Sequence, residues 1–175
     1  MNNAMRKGHE TRAIANAIIS VGIAENIDIT MMKCVKLAYL AHGWTLALTG
    51  LPLSREPVLA GQYGPIFKSL FKALPMRGST KLCRQILRED GSRAASDFSS
   101  TELAIIKGVV LTYGPRNTQD INQILQSEEG PWHRSVSRGA GIEQIDENEI
   151  KLFFSGDRRE ECQRISRSKI KCLKI

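Results

Sequence analysis

Long apolar runs are missing from this sequence. The longest, Leu37–Ala41, covers five residues, far below the roughly 20 needed to span a bilayer. The N-terminal MNNAMRKGHE carries basic residues with no apolar stretch behind them, so it does not read as a signal peptide. Both absences point to a cytoplasmic protein with no membrane partner. Cys34, Cys83, Cys162 and Cys172 are scattered, with no C-x-x-C pair and no histidine at zinc spacing. That pattern excludes the usual zinc and redox motifs and leaves four free thiols, with no metal site expected. With Gly 14 and Pro 6 in 175 residues, collagen-like and low-complexity chains are excluded as well.

Catalytic signatures are equally scarce. Only His9, His42 and His133 are present. His42 and Cys34 stand eight residues apart, about 12 Å along a helix and too far for a nucleophile–base pair. His42 therefore reads as a partly buried histidine that bonds a neighbouring helix. No phosphate-binding loop, dinucleotide fingerprint, H-E-x-x-H or G-x-S-x-G occurs. The acidic residues are spread rather than clustered, as on a solvated surface. No catalytic residue and no cofactor is expected, and an enzyme is disfavoured.

What the chain does have is an apolar fraction of 42%, enough for a core, and a net charge of +7. A length of 175 residues suits one domain that buries roughly two-thirds of its unfolded surface. The charge is uneven. From Gly156 to Ile175 seven basic residues face three acids, so this end alone carries +4. Such a field favours acidic partners, a protein surface or a polyphosphate. Arg158, Arg159, Arg164, Arg167, Lys169 and Lys171 are the candidate tail contacts. Nucleic acid remains the less favoured partner, because no DNA-reading helix or zinc finger accompanies these residues. Ser168–Cys172 alternates polar and apolar, so the tail is also a candidate strand joining a ribbon near Leu51–Ala60.

Helical spacing of Ile14, Ala17, Ile18 and Val21 predicts a helix from Thr11 to about Ala24. A second helix is predicted from Met31 to about Thr49, with Asp28 or Thr30 as N-cap and Gly50 as stop. This helix is apolar nearly all round, which places it at the centre of the domain. Pro52, Pro57, Gly61, Gly64 and Pro65 break up Leu51–Pro65 into a β-ribbon or ordered loop. Pro65 is expected at the start of a short helix ending at Leu74. Lys81–Leu87 is a candidate strand within the undecided stretch Pro75–Phe98. Ser99-Ser-Thr-Glu102 is a capping box opening a helix that Gly114-Pro115 ends. Thr118 is expected to cap a short helix, Gly130-Pro-Trp132 to form a loop, and Asp146 to cap a last helix. The fold class is mainly α with a small β-ribbon or sheet, a compact helical domain around one central apolar helix. Residues 1–155 form the domain and 156–175 the basic tail. Trp44, Tyr63 and Trp132 pack the core or anchor a partner, as Trp and Tyr often do.

Lys36-Leu-Ala-Tyr-Leu-Ala-His-Gly-Trp44, Leu48-Thr-Gly-Leu-Pro-Leu53, Glu56-Pro-Val-Leu-Ala60 and Tyr63-Gly-Pro-Ile66 occur in series. With Tyr113-Gly114, Leu125 and Glu129-Gly-Pro-Trp132, they resemble the Panacea antitoxin domain, also described as the SocA-like or phage-associated GepA-like family. The resemblance spans roughly Ala13 to Phe154. His42 stands where the family usually has glutamine, and Gly61 where a larger residue is common. Gly43, Gly64, Pro65 and Pro131 are matched as fold markers. The resemblance implies a bacterial or phage protein that neutralises a cognate toxin by direct binding; the basic charge of the chain separately favours an acidic surface on that partner. An adaptor role towards a Clp-type protease, known for one member, is a further implication. The alternative is a phage-derived anti-defence or nucleic-acid-binding protein that uses the basic tail.

Overall fold

A computed structural model describes residues 8–73, 80–139 and 143–156. Its elements are α1 (Thr11–Ala24), α2 (Met31–Thr49), β1 (Leu59–Gly61), β2 (Gly64–Ile66), α3 (Lys68–Ala73), α4 (Ser100–Tyr113), α5 (Thr118–Leu125), α6 (Pro131–Arg138) and α7 (Glu147–Ser155). The protein is mainly α with one small antiparallel sheet, β1–β2, in which Ala60 faces Pro65.

The helix ends follow local chemistry. Thr30, not Asp28, caps α2 by accepting from the Lys33 amide, and Gly50 ends the helix in the left-handed region at φ +74°, where a Cβ is penalised. Ser99 and Glu102 form the expected capping box on α4. Asp146 caps α7 by accepting from the Asn148 and Glu149 amides.

α2 is the hub, packed against α1, α4, α5, α7 and β2. Its residues from Cys34 to Leu46 are buried without a break, so every face of the helix meets another element. Gly43 lets α7 approach: a Cβ there would overlap the Phe154 ring. That ring meets Tyr39, Trp44 and Phe153 edge-on at centroid distances of 5.8, 5.4 and 5.3 Å, a favoured aromatic geometry. The core is one contiguous cluster.

Four expectations are corrected. Pro65 lies in β2 rather than opening a helix; a ribbon edge tolerates its missing N–H, and α3 begins at Lys68. Asn117, not Thr118, caps α5. Gly130-Pro-Trp132 is not a loop, since Pro131 starts α6, the position where its fixed φ and absent N–H cost nothing. Lys81–Leu87 is not a strand; its bridges, Thr30 with Lys81 and Leu87 with Arg93, are isolated. Asn16 does there what a ladder would have done. Its amide donates to the Ile86 and Ala94 carbonyls at 2.9 Å, and its oxygen accepts from the Ile86 amide at 2.7 Å. Leu74 and the tail from Asp157 lie outside the described residues.

Candidate partner-binding surface

The β1–β2 turn is Gln62-Tyr63, and both residues are exposed. A two-residue turn projects side chains away from the ribbon, and Tyr63 is 57% exposed. Trp132 reaches the same ribbon from α6: its indole N–H donates to the Gly61 carbonyl at 2.8 Å. The ring is half-buried, with its polar edge satisfied. Val136, one helical turn further along α6 and on the same face, is exposed. Of the three aromatic candidates, Tyr63 therefore stands at the hairpin turn and Trp132 is tied to the same hairpin from α6.

Trp44 belongs elsewhere. It is fully buried, donates from Nε1 to the Tyr113 hydroxyl at 3.1 Å, and is a core residue. Of the fold markers, Gly43 admits Phe154, Gly64 and Pro65 form β2, and Pro131 starts α6. Arg158, Arg159, Arg164, Arg167, Lys169 and Lys171 lie outside the described residues.

Beneath the hairpin lies a residue that pattern reading does not single out. Lys36, in the middle of α2, is 3% exposed and donates from Nζ to the Tyr63 carbonyl at 3.4 Å. Burial pushes its pKa down. The sequence signal was one lysine inside an otherwise apolar helix segment.

Three other polar places have structural explanations. His42 is fully buried. Its Nδ1 accepts from the Ser54 amide at 3.2 Å, which puts the proton of the neutral ring on Nε2, 4.0 Å from a Glu147 oxygen. Burial pushes its pKa down to about 4, so the expected partly buried histidine is a wholly buried, neutral one. His9 joins two chain segments: Nδ1 pairs with the Ser96 hydroxyl at 3.0 Å and Nε2 with Glu102 at 3.1 Å. Burial raises the Glu102 pKa, but hydrogen bonds from the Ser99 amide and hydroxyl and from His9 outweigh it and hold the carboxyl below its ordinary range. Although Ser–His–carboxylate is the order of a hydrolytic triad, this carboxylate is already the cap of α4, and the cluster ties His9 to that helix. Glu56, in a groove of about 530 Å³, accepts from Thr11 and Ser69 and pins α1 to α3.

The Cys34 thiol is buried and pushed up to about 12, an unreactive group. Among the described residues no group of three or more His, Cys, Asp or Glu could hold a metal ion, and no helix is long and apolar enough to cross a membrane.

Residues 34–133 match the family described as "Antitoxin SocA-like, Panacea domain". The chain belongs to this family. It is also similar to the protein named Antitoxin SocA from Caulobacter vibrioides (strain NA1000 / CB15N), with 25% identity over 137 residues, 75% of this chain and 72% of the relative. No solved structure matches it. The family match runs from within α2 through the ribbon into α6, so Lys36, Tyr63 and Trp132 all fall inside it. Membership supports an antitoxin role, with a toxin as the partner in general terms.

Proposed function

We propose that the protein neutralises a cognate toxin by binding it directly, with the hairpin turn and α6 as the contact surface and Tyr63 and Trp132 as its anchors. The observation that carries this reading is the exposed Tyr63 at the turn of the hairpin to which the half-buried Trp132 of α6 is hydrogen-bonded, within the segment that matches the antitoxin family. Large aromatics with a satisfied polar edge are the residue types that dominate binding hot spots. Trp44 stabilises this surface from the core instead of touching the partner. Residues 1–155 act as one binding domain, and the basic tail 156–175 supplies attraction for an acidic partner.

Purification of the tagged chain from cells expressing its neighbouring genes, washed at low and high salt, tests the reading. A stoichiometric small protein that survives high salt is the expected outcome. Tyr63→Ala is expected to weaken that complex at least about tenfold, roughly 1.4 kcal/mol, with an unchanged melting temperature. Nucleic acid recovered only at low salt, with no protein partner, would overturn the proposal in favour of the basic tail. Deleting Asp157–Ile175 separates binding from delivery. An adaptor role towards a Clp-type protease predicts that the toxin is still bound but no longer degraded.

A further inference from the structure

Lys36 carries a feature that core packing does not explain. Lysines are rarely this buried without a carboxylate partner, because an unpaired ammonium out of water is costly. Among the described residues none supplies one: the ammonium has three donors, and the single acceptor is the Tyr63 carbonyl at 3.4 Å, a long bond. Burial acts on its pKa with no opposing charge.

The ammonium faces the bare backbone of Gly64. Gly64 sits at φ +123°, and a Cβ built there would stand 3.8 Å from Lys36 Nζ and 4.0 Å from Gln126 Nε2. Apart from the residues next to Gly64 in the chain, no other atom comes within 4 Å of that point. The absence of a side chain at Gly64 therefore leaves room where an ammonium and a primary amide converge. Gln126 makes no side-chain hydrogen bond among the described residues, so its N–H donors are free there too. The space adjoins the exposed turn that carries Tyr63.

We propose that Lys36, Gln126 and the bare backbone of Gly64 form a receptor for one carboxylate of the protein partner, an aspartate, a glutamate or a chain-terminal carboxylate inserted beside Tyr63. The proposal rests on the toxin-binding reading above and names the chemistry by which the partner is recognised. One cation and one neutral amide match the single charge and two oxygens of a carboxylate. The insertion replaces a weak carbonyl bond with a charge-assisted one in a site shielded from water, where the attraction is stronger than at the surface. It also provides discrimination, because a protein lacking that carboxylate leaves the ammonium buried and unpaired. The net charge of +7 adds long-range attraction for a partner rich in such groups.

Two measurements test this. In the full chain with lysine side chains isotope-labelled at Cε, sodium acetate is titrated against sodium chloride at matched ionic strength. One lysine resonance, identified by its loss in Lys36→Met, is expected to move with acetate alone, and its titration midpoint to rise. A Lys36 resonance that responds no more to acetate than to chloride overturns the proposal. In the second, the affinity of Lys36→Met for the co-purified toxin is expected to fall at least tenfold while its melting temperature stays equal to or above that of the wild type. Unchanged affinity in Lys36→Met overturns the carboxylate receptor and leaves the antitoxin reading standing. If the wild-type chain captures no toxin, the antitoxin reading fails, and the acetate titration alone decides whether the receptor exists.

Discussion

Trp44 and His42 lie on the same helix and are both fully buried, yet they respond to different variables. Trp44 fills volume. Trp44→Ala is expected to cost about 3–5 kcal/mol, the usual penalty for emptying a large aromatic site, read as a lower urea midpoint. His42 stores sensitivity to acid. Its pKa is near 6.5 in the unfolded chain and about 4 in the folded one, so the unfolded state binds the proton first as pH falls. The stability from keeping it neutral is complete above about pH 6.5 and is lost down to about pH 4, a loss of about 3 kcal/mol. Glu147, held above its ordinary range by burial and then by Asp146, works in the opposite sense over the lower part of that window. The comparison that isolates the histidine is His42→Gln, whose melting temperature is expected to fall less than the wild type's between pH 7 and 4.5. Neither role follows from residue type alone. A tryptophan beside apolar neighbours fits a core or an anchor equally, and only the Tyr113 hydroxyl 69 positions away settles which. The burial of Lys36 was not legible for a similar reason: a lysine in an apolar helix ordinarily extends its ammonium to water, and the hairpin that covers it is a tertiary feature.

Helix ends were the most readable elements, because capping is decided within four residues. The bounds of α2 and α4 follow from signals such as Ser99 with Glu102 and the stop at Gly50, whereas α1, whose N-cap Glu10 makes no side-chain bond, is legible only through its apolar spacing. Where partners are remote, the local signal misleads. Pro65 reads as a helix start until Ala60 is seen opposite it. Residues 80–98 alternate like a strand in places but are held by the Asn16 side chain. The packing of α2 on α7 gives the clearest test at this level. Gly43→Ala is expected to destabilise the protein by about 1–3 kcal/mol, because Phe154 is enclosed by Tyr39, Trp44 and Phe153 and has nowhere to turn. A cavity-filling gain in melting temperature would show that α7 can move away without loss.

At the scale of the whole molecule, the short ribbon is hydrogen-bonded to a neighbouring segment at one end and exposed at the other. Leu59 and Ala60 are tied to the segment before α7, through the Ala60 amide on the Glu143 carbonyl and the Ile145 amide on the Val58 carbonyl. The turn at the other end contributes Gln62 and Tyr63 to solvent. Motif order anticipated the family, but it could not say which aromatic faces outwards. That choice is made by the ribbon register and by the indole bond to Gly61.

The same arrangement equips the protein with two separate optical reporters. Its two tryptophans occupy unlike environments, one sealed in the interior and one at the hairpin with part of its ring facing solvent. Emission from Trp44 should stay blue until the fold opens, whereas emission from Trp132 should shift when a ligand covers α6. Recorded on single-tryptophan variants in which phenylalanine replaces the other indole, unlabelled protein would thus give a folding signal and a docking signal that can be told apart.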